Sequence, residues 1–285
     1  MKFPISLWSG YYPELSPEAL IDAYCEAGFH HMELSIALVN YLVARDGSMD
    51  SIGAAYAAYA KEHGMAFPQG HLSYEQTLLR PESLDILKRD IDLFLGAGIK
   101  HAVLHFNGGN DLPADQRREA RLHAVSTLCD YIKGTDLILC LENLGSVPET
   151  HTAERLLDII ETVGSKQLGI CLDTGHLHLV NGRGEATQSQ REFITKAGPL
   201  LYALHITDNN RILDEHLMPF SSRYPIDWVE VVTALQEVNY KGLFNLELPG
   251  ERFAPMAIRA EKLKYIRFLA EYLLSDEFLT WKKIK

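Results

Sequence analysis

Eight short apolar runs, each followed by a stretch with helical spacing, constrain this chain more than any other feature. The runs are β-like and cover residues 3–9, 31–36, 66–73, 102–106, 137–143, 168–173, 201–207 and 243–248. In the intervening stretches apolar residues recur at 3.6-residue spacing, as amphipathic helices require. Ser16, Pro17 and Glu18 open one such stretch as an N-cap followed by a first-turn proline, and Gly28 lies past its end. Thr152 and Asp227 start two more, and a long helix is expected from Ala254 onward. Strand then helix, eight times without a linker or low-complexity tract, indicates an α/β fold: one (β/α)8 TIM barrel domain spanning residues 1–285. A doubly wound sheet is the competitor. It usually carries a glycine-rich phosphate loop after its first strand, and Trp8-Ser-Gly-Tyr-Tyr-Pro is no such loop. No nucleotide cofactor is therefore expected.

Four of the runs end on an ionisable side chain: Glu142 in Leu-Cys-Leu-Glu-Asn, Asp173 in Leu-Asp-Thr-Gly-His, His205 in Ala-Leu-His-Ile-Thr, and Glu247 in Phe-Asn-Leu-Glu-Leu. Such a group closing an apolar run needs water, a partner or a metal there. In a parallel barrel these ends share one mouth, where active sites lie. Carboxylates mixed with imidazoles suit a divalent cation. His71 and His105 close two further runs, His176 follows Asp173, and Asp214 and His216 follow His205, so the same mouth offers additional ligands. The other histidines fit structural positions: His63 and His123 in helix-like stretches, His30 and His101 at strand starts, His151 before a helix. His178 has no direction readable from the pattern.

Composition narrows the partners. With 47% hydrophobic and 23% charged residues the chain is of ordinary globular character. Its formal net charge of −11 argues against a nucleic-acid partner, which needs clustered Lys and Arg. The apolar start of the chain is too short for a signal peptide and is broken by Gly10 and Pro13, and no run reaches the length of a membrane span. Cys25, Cys129, Cys140 and Cys171 show no CxxC spacing and read as free thiols, so a cytoplasmic location without membrane association is expected.

The motifs Glu-Asn, Leu-Asp-Thr-Gly-His, His-Ile-Thr-Asp-Asn, Asp-x-His and Leu-Glu-Leu resemble those of the xylose isomerase-like barrel superfamily, along nearly the whole chain. That group holds sugar and sugar-phosphate isomerases and epimerases together with endonuclease IV-type nucleases. The resemblance implies that Glu142, Asp173, His205 and Glu247 bind one divalent metal (Mn2+, Mg2+, Co2+ or Zn2+), with Glu142 and Glu247 as the acid/base pair. It further implies a small sugar or sugar phosphate as substrate, contacted by His176 and Arg211. Trp8 and Phe106, and in the same way Trp228, would pack on its apolar face. The alternative that the resemblance leaves is a multi-zinc phosphoesterase, because His71, His105, Asp214 and His216 match extra ligands of the nuclease branch, with His176 as a further candidate ligand. A non-catalytic sugar- or metal-binding barrel is a third reading, and a homo-oligomer is left open.

In one place the chain departs from the family pattern. Where the family commonly has Pro-Gly-x-Gly before Ile-Asp-Trp, residues 219–225 contain no glycine. Positive φ is costly there, so this loop is expected to be shaped differently.

Overall fold

The computed structural model describes residues 3–73, 77–80, 82–180 and 186–281. Its strands are β1 (Ile5–Trp8), β2 (His31–Leu34), β3 (Ala66–His71), β4 (His101–Leu104), β5 (Ile138–Glu142), β6 (Leu168–Asp173), β7 (Leu201–His205) and β8 (Phe244–Leu246). Each falls within an apolar run except β4, which begins one residue ahead of its run, at His101. All neighbouring strands are parallel, in the order β7-β6-β5-β4-β3-β2-β1-β8. The seam between β7 and β8 closes through the parallel bridge of Ile206 with Leu246, where Ile206 N donates to Asn245 O at 2.8 Å. The architecture is a (β/α)8 barrel.

Local chemistry sets the helix starts. Ser16 Oγ accepts from Ala19 N before the helix Pro17–Glu26, Thr152 Oγ1 from Arg155 N before Ala153–Val163, and Asp227 Oδ1 from Glu230 N before Trp228–Glu237. Each cap satisfies an amide that the first helical turn leaves unpaired. The long C-terminal helix runs Met256–Leu273 and is followed by a short one, Asp276–Trp281. The second run departs from expectation: β2 stops at Leu34 because Ser35 caps a further helix, Ile36–Val43.

Side chains alternate across each strand, so one set faces the helices and the other faces the barrel axis. The outward set builds the main core, with Leu7, Met32, Leu104, Leu141, Leu172 and Leu204 among its members. Two residues below the mouth on four adjacent strands, Val103, Cys140, Cys171 and Ala203 form a separate buried cluster. That cluster is the apolar part of the barrel floor. All four cysteines are free.

Cross-strand polar contacts explain the motif residues around the site. Asn143 brackets the Asp173 peptide, accepting from its N at 2.7 Å and donating to its O at 3.0 Å. Thr174 Oγ1 donates to Thr207 O at 2.7 Å, and Gly175 N donates to Thr207 Oγ1 at 3.1 Å. A Cβ on Gly175 would collide with that hydroxyl and with the Asn209 amide, so only glycine lets β6 and β7 approach here.

The loop after β7 does not avoid positive φ. Arg211, His216 and Phe220 take φ of 71°, 48° and 69°. The absence of glycine thus leads to local strain rather than to an avoided left-handed turn, at roughly 1–2 kcal/mol per residue. Backbone hydrogen bonds hold the loop in place: Asp208 and Leu217 exchange both N–H···O bonds at 2.8 Å, and Phe220 N donates to Asp208 Oδ2 at 3.2 Å.

Candidate functional site

Glu142 is the hub of the barrel mouth. It is buried, at 1% exposure, and four imidazoles from four segments converge on its carboxylate. Oε2 lies 2.8 Å from His105 Nε2 and 3.4 Å from His71 Nε2, while Oε1 lies 3.1 Å from His176 Nδ1 and 3.4 Å from His205 Nδ1. His205 Nδ1 also lies 3.1 Å from Glu247 Oε2. On the far wall Asp214 bridges two histidines, 3.0 Å from His176 Nε2 and 3.4 Å from His216 Nε2. These groups surround a cavity of about 340 Å3, which Trp8 and Pro249 help to line. The volume is at the lower end of ordinary small-ligand sites.

The two glutamates are driven in opposite directions. Burial alone would raise Glu142, but the His105 and His205 imidazoles and hydrogen bonds from His105 and His176 hold it well below the usual carboxylate range. Burial raises Glu247, and the nearby Glu142 and Asp173 carboxylates add to that, against the pull of His205 and His216. Asp214 is driven down, against its own burial, by hydrogen bonds from His176 and His216. His216 rises to about 10: burial opposes its charge, but Glu247 and Asp214 outweigh it. Imidazoles stand close to Glu142, Asp214 and Glu247 alike.

That electrostatic demand is what a bound cation meets. Glu142, Asp173, His205 and Glu247 each offer a ligand atom, and these atoms lie within 4.8 Å of one another. Ligands of one ion at about 2.0–2.2 Å lie within about 4.4 Å of each other, so sub-ångström adjustment closes the set. Asp173 Oδ1 is already engaged by His176 N at 2.7 Å, whereas among the described residues buried Asp173 Oδ2 and His205 Nδ1 make no hydrogen bond, although the Glu142 and Glu247 carboxylates lie near that Nδ1. Buried polar atoms of this kind require a partner, and a divalent ion supplies one. The donor set fits a metal. Two further sets satisfy the same distance criterion, His71–His105–Glu142 and His176–Asp214–His216, as does the overlapping His71–His205–Glu247.

Not every residue singled out from the sequence reaches the cavity. Trp8 does. Phe106 is fully buried instead, with the Arg121 guanidinium 5.6 Å above its ring. Neighbouring strand residues face opposite ways, so if His105 points into the mouth Phe106 points into the core. Trp228 is buried as well, at the start of its helix. Arg211 does not line the cavity; its N donates to Asn209 Oδ1 and its carbonyl accepts from Val180 N, both at 2.9 Å. His178 turns away to the Tyr224 carbonyl, 2.7 Å from its Nε2.

Three contributors were not evident from the sequence: Glu33, Gln69 and Asn245, all fully buried on the barrel floor. Glu33 Oε1 lies 3.0 Å from His205 Nε2 and accepts from Gln69 Nε2 at 2.9 Å, and its Oε2 accepts from Asn245 Nδ2 at 2.5 Å.

Comparison with known proteins fits this arrangement. A family model described as xylose isomerase-like TIM barrel matches residues 21–269. The chain belongs to that family. A curated relative, D-psicose 3-epimerase of Enterocloster bolteae, is 26% identical over 246 residues, covering 80% of this chain and 75% of that protein. Among solved structures of the same fold, an L-ribulose 3-epimerase superposes with a TM-score of 0.76 at 17% identity, covering 99% of this chain and 97% of the other. A D-psicose 3-epimerase determined in the presence of D-fructose gives 0.75 at 18% identity, covering 95% and 99%. Among the described residues no helix of this family member is long and apolar enough to cross a membrane.

Proposed function

We propose that the protein is a divalent-metal-dependent sugar isomerase or epimerase that moves a proton next to a carbonyl. The observation that carries this reading is the pair Glu142 and Glu247, at 3.4 and 3.1 Å from His205 Nδ1 within one metal-competent set. The similarity to a D-psicose 3-epimerase supports the same class. A divalent ion held by Glu142, Asp173, His205 and Glu247 supplies charge that makes a C–H beside a sugar carbonyl acidic enough to lose. One glutamate then takes the proton, leaving an enediolate, and the other returns a proton from its own side. Return to the opposite face of the same carbon inverts it; return to the neighbouring carbon moves the carbonyl. His176, His216 and Asp214 offer donors and acceptors to the sugar hydroxyls, and Trp8 offers an apolar wall. The substrate of this reading is a small sugar or sugar phosphate in a single-domain barrel.

Solvent-deuterium uptake tests the reading directly. Ketoses and ketose phosphates incubated with the Mn2+-loaded protein in D2O should gain one deuterium at the inverted or isomerised carbon. No uptake across both classes would overturn it.

One observation favours a second reading, a multi-metal phosphoesterase. The set His71–His105–Glu142 shares Glu142 with the first site, and His176–Asp214–His216 adjoins it. Adjacent ions of this kind activate water and stabilise a leaving oxygen. The net charge of −11 weighs against a nucleic-acid substrate for such chemistry. Metal content per chain separates the readings: one equivalent for the isomerase, two or three of zinc for the hydrolase. His71→Ala sharpens the test. It should leave a one-metal enzyme within about tenfold of wild type but remove one equivalent from a multi-metal protein.

A further inference from the structure

The mechanism above leaves Glu33 unused. It is fully buried beneath the cavity and faces polar groups from three other strands: Gln69 of β3, His205 at the end of β7 and Asn245 of β8. One of these is the His205 imidazole, whose Nε2 lies 3.0 Å from Glu33 Oε1 with both side chains fully buried. Gln69 Nε2 is itself held by the Leu204 carbonyl at 3.3 Å, which fixes the amide so that N–H faces Glu33. Two amide donors and one imidazole nitrogen therefore surround a single carboxylate.

We propose that Glu33 is the positioning residue of the metal centre. By accepting the Nε2–H of His205 it holds that imidazole in the tautomer whose Nδ1 lone pair faces Glu142 and Glu247, and it strengthens Nδ1 as a ligand. An imidazole ligand is oriented and made more basic by the carboxylate behind it, and such partners are worth about 10–100-fold in metal affinity. The inference goes beyond the ligand set, since Glu33 touches neither the cavity nor a ligand atom. It rests on the metal centre of the reading above and not on its sugar.

The test separates positioning from simple hydrogen-bond filling. Glu33→Gln alone sets an amide N–H against the Asn245 amide, so it should lower both the thermal midpoint and the affinity for metal. Adding Asn245→Asp restores complementary partners and conserves net charge, but moves the carboxylate off His205. In that double variant the metal-free thermal midpoint should return toward wild type while Mn2+ affinity, read by chelator competition, stays about 10–100-fold weaker. Wild-type Mn2+ affinity in the double variant would overturn the proposal. So would a wild-type protein that binds no divalent ion. Should the double variant fail to fold, imidazole nitrogen-15 shifts of the wild-type protein decide. In the Zn2+-loaded protein His205, assigned by loss of its signals in His205→Asn, should carry its proton on Nε2 and show a metal-shifted Nδ1; a proton on Nδ1 in that loaded state overturns the proposal. Failure of the epimerase reading would leave every one of these results unchanged, because none uses a sugar.

Discussion

The barrel floor has two unlike halves. Under the ends of β4 to β7 the residues two below the mouth are Val103, Cys140, Cys171 and Ala203, an apolar cluster. At the equivalent positions of β8 and β1 to β3 stand Asn245, Ser6, Glu33 and Gln69, all fully buried. The apolar half places a low-dielectric layer beneath Glu142 and Asp173, where every charge interaction is stronger than in water. The polar half aims. Glu33 reaches across the barrel to the outer nitrogen of His205, a residue that stands above the apolar half. Equivalent positions of a symmetric fold therefore serve insulation on one side and orientation on the other.

The largest effect that would probe this division lies in the mouth itself. Glu247→Gln keeps the shape but would remove one proton carrier of the proposed reaction, and turnover should then fall by about 10^2- to 10^4-fold with an unchanged thermal midpoint. Normal turnover would show that the mouth works without its second base.

His101, a further two residues down β4 from Val103, gives the next effect. Burial lowers its pKa to about 4 from an ordinary 6.5. The folded state holds it neutral while the unfolded chain takes up a proton below pH 6.5. Its share of stability is therefore complete above about pH 6.5 and is lost as pH falls toward 4, by about 2–3 kcal/mol. Denaturant midpoints across that window should fall less steeply in His101→Phe; identical slopes would remove His101 from the acid response.

Gln69→Leu and Val103→Ala then set the two halves side by side. The first strips a donor from a buried carboxylate and should cost about 2 kcal/mol, together with a measurable loss of metal affinity. The second opens a small cavity and should cost about 1–2 kcal/mol with metal affinity unchanged. Equal effects on metal affinity would erase the contrast.

The fold was legible because each strand is a short apolar run stopped by a polar residue, and a parallel sheet buried on both faces requires such runs. The mouth was legible for the same reason: Glu142, Asp173, His205 and Glu247 are the residues that stop those runs. Glu33 was not, because it lies within a run, between Met32 and Leu34, where a strand pattern shows no break. Gln69 and Asn245 are hidden in the same way. Phe106 was misplaced by one step of strand alternation, which reverses the face a side chain occupies. The conformation after β7 was illegible because its left-handed residues are Arg211, His216 and Phe220, none of which announces such a turn.

That loop gives the site a division of labour in inheritance as well as in space. Asp214 and His216 ride on a segment held at its base by Asp208, whereas Glu142, Asp173, His205 and Glu247 are set at or directly beside strand ends. Rewriting a dozen loop residues would add or delete the outer His–Asp–His set without moving any residue of the inner four. The barrel fixes where the inner four stand, and under the proposed reading the loop decides whether a further ion could be held beside them.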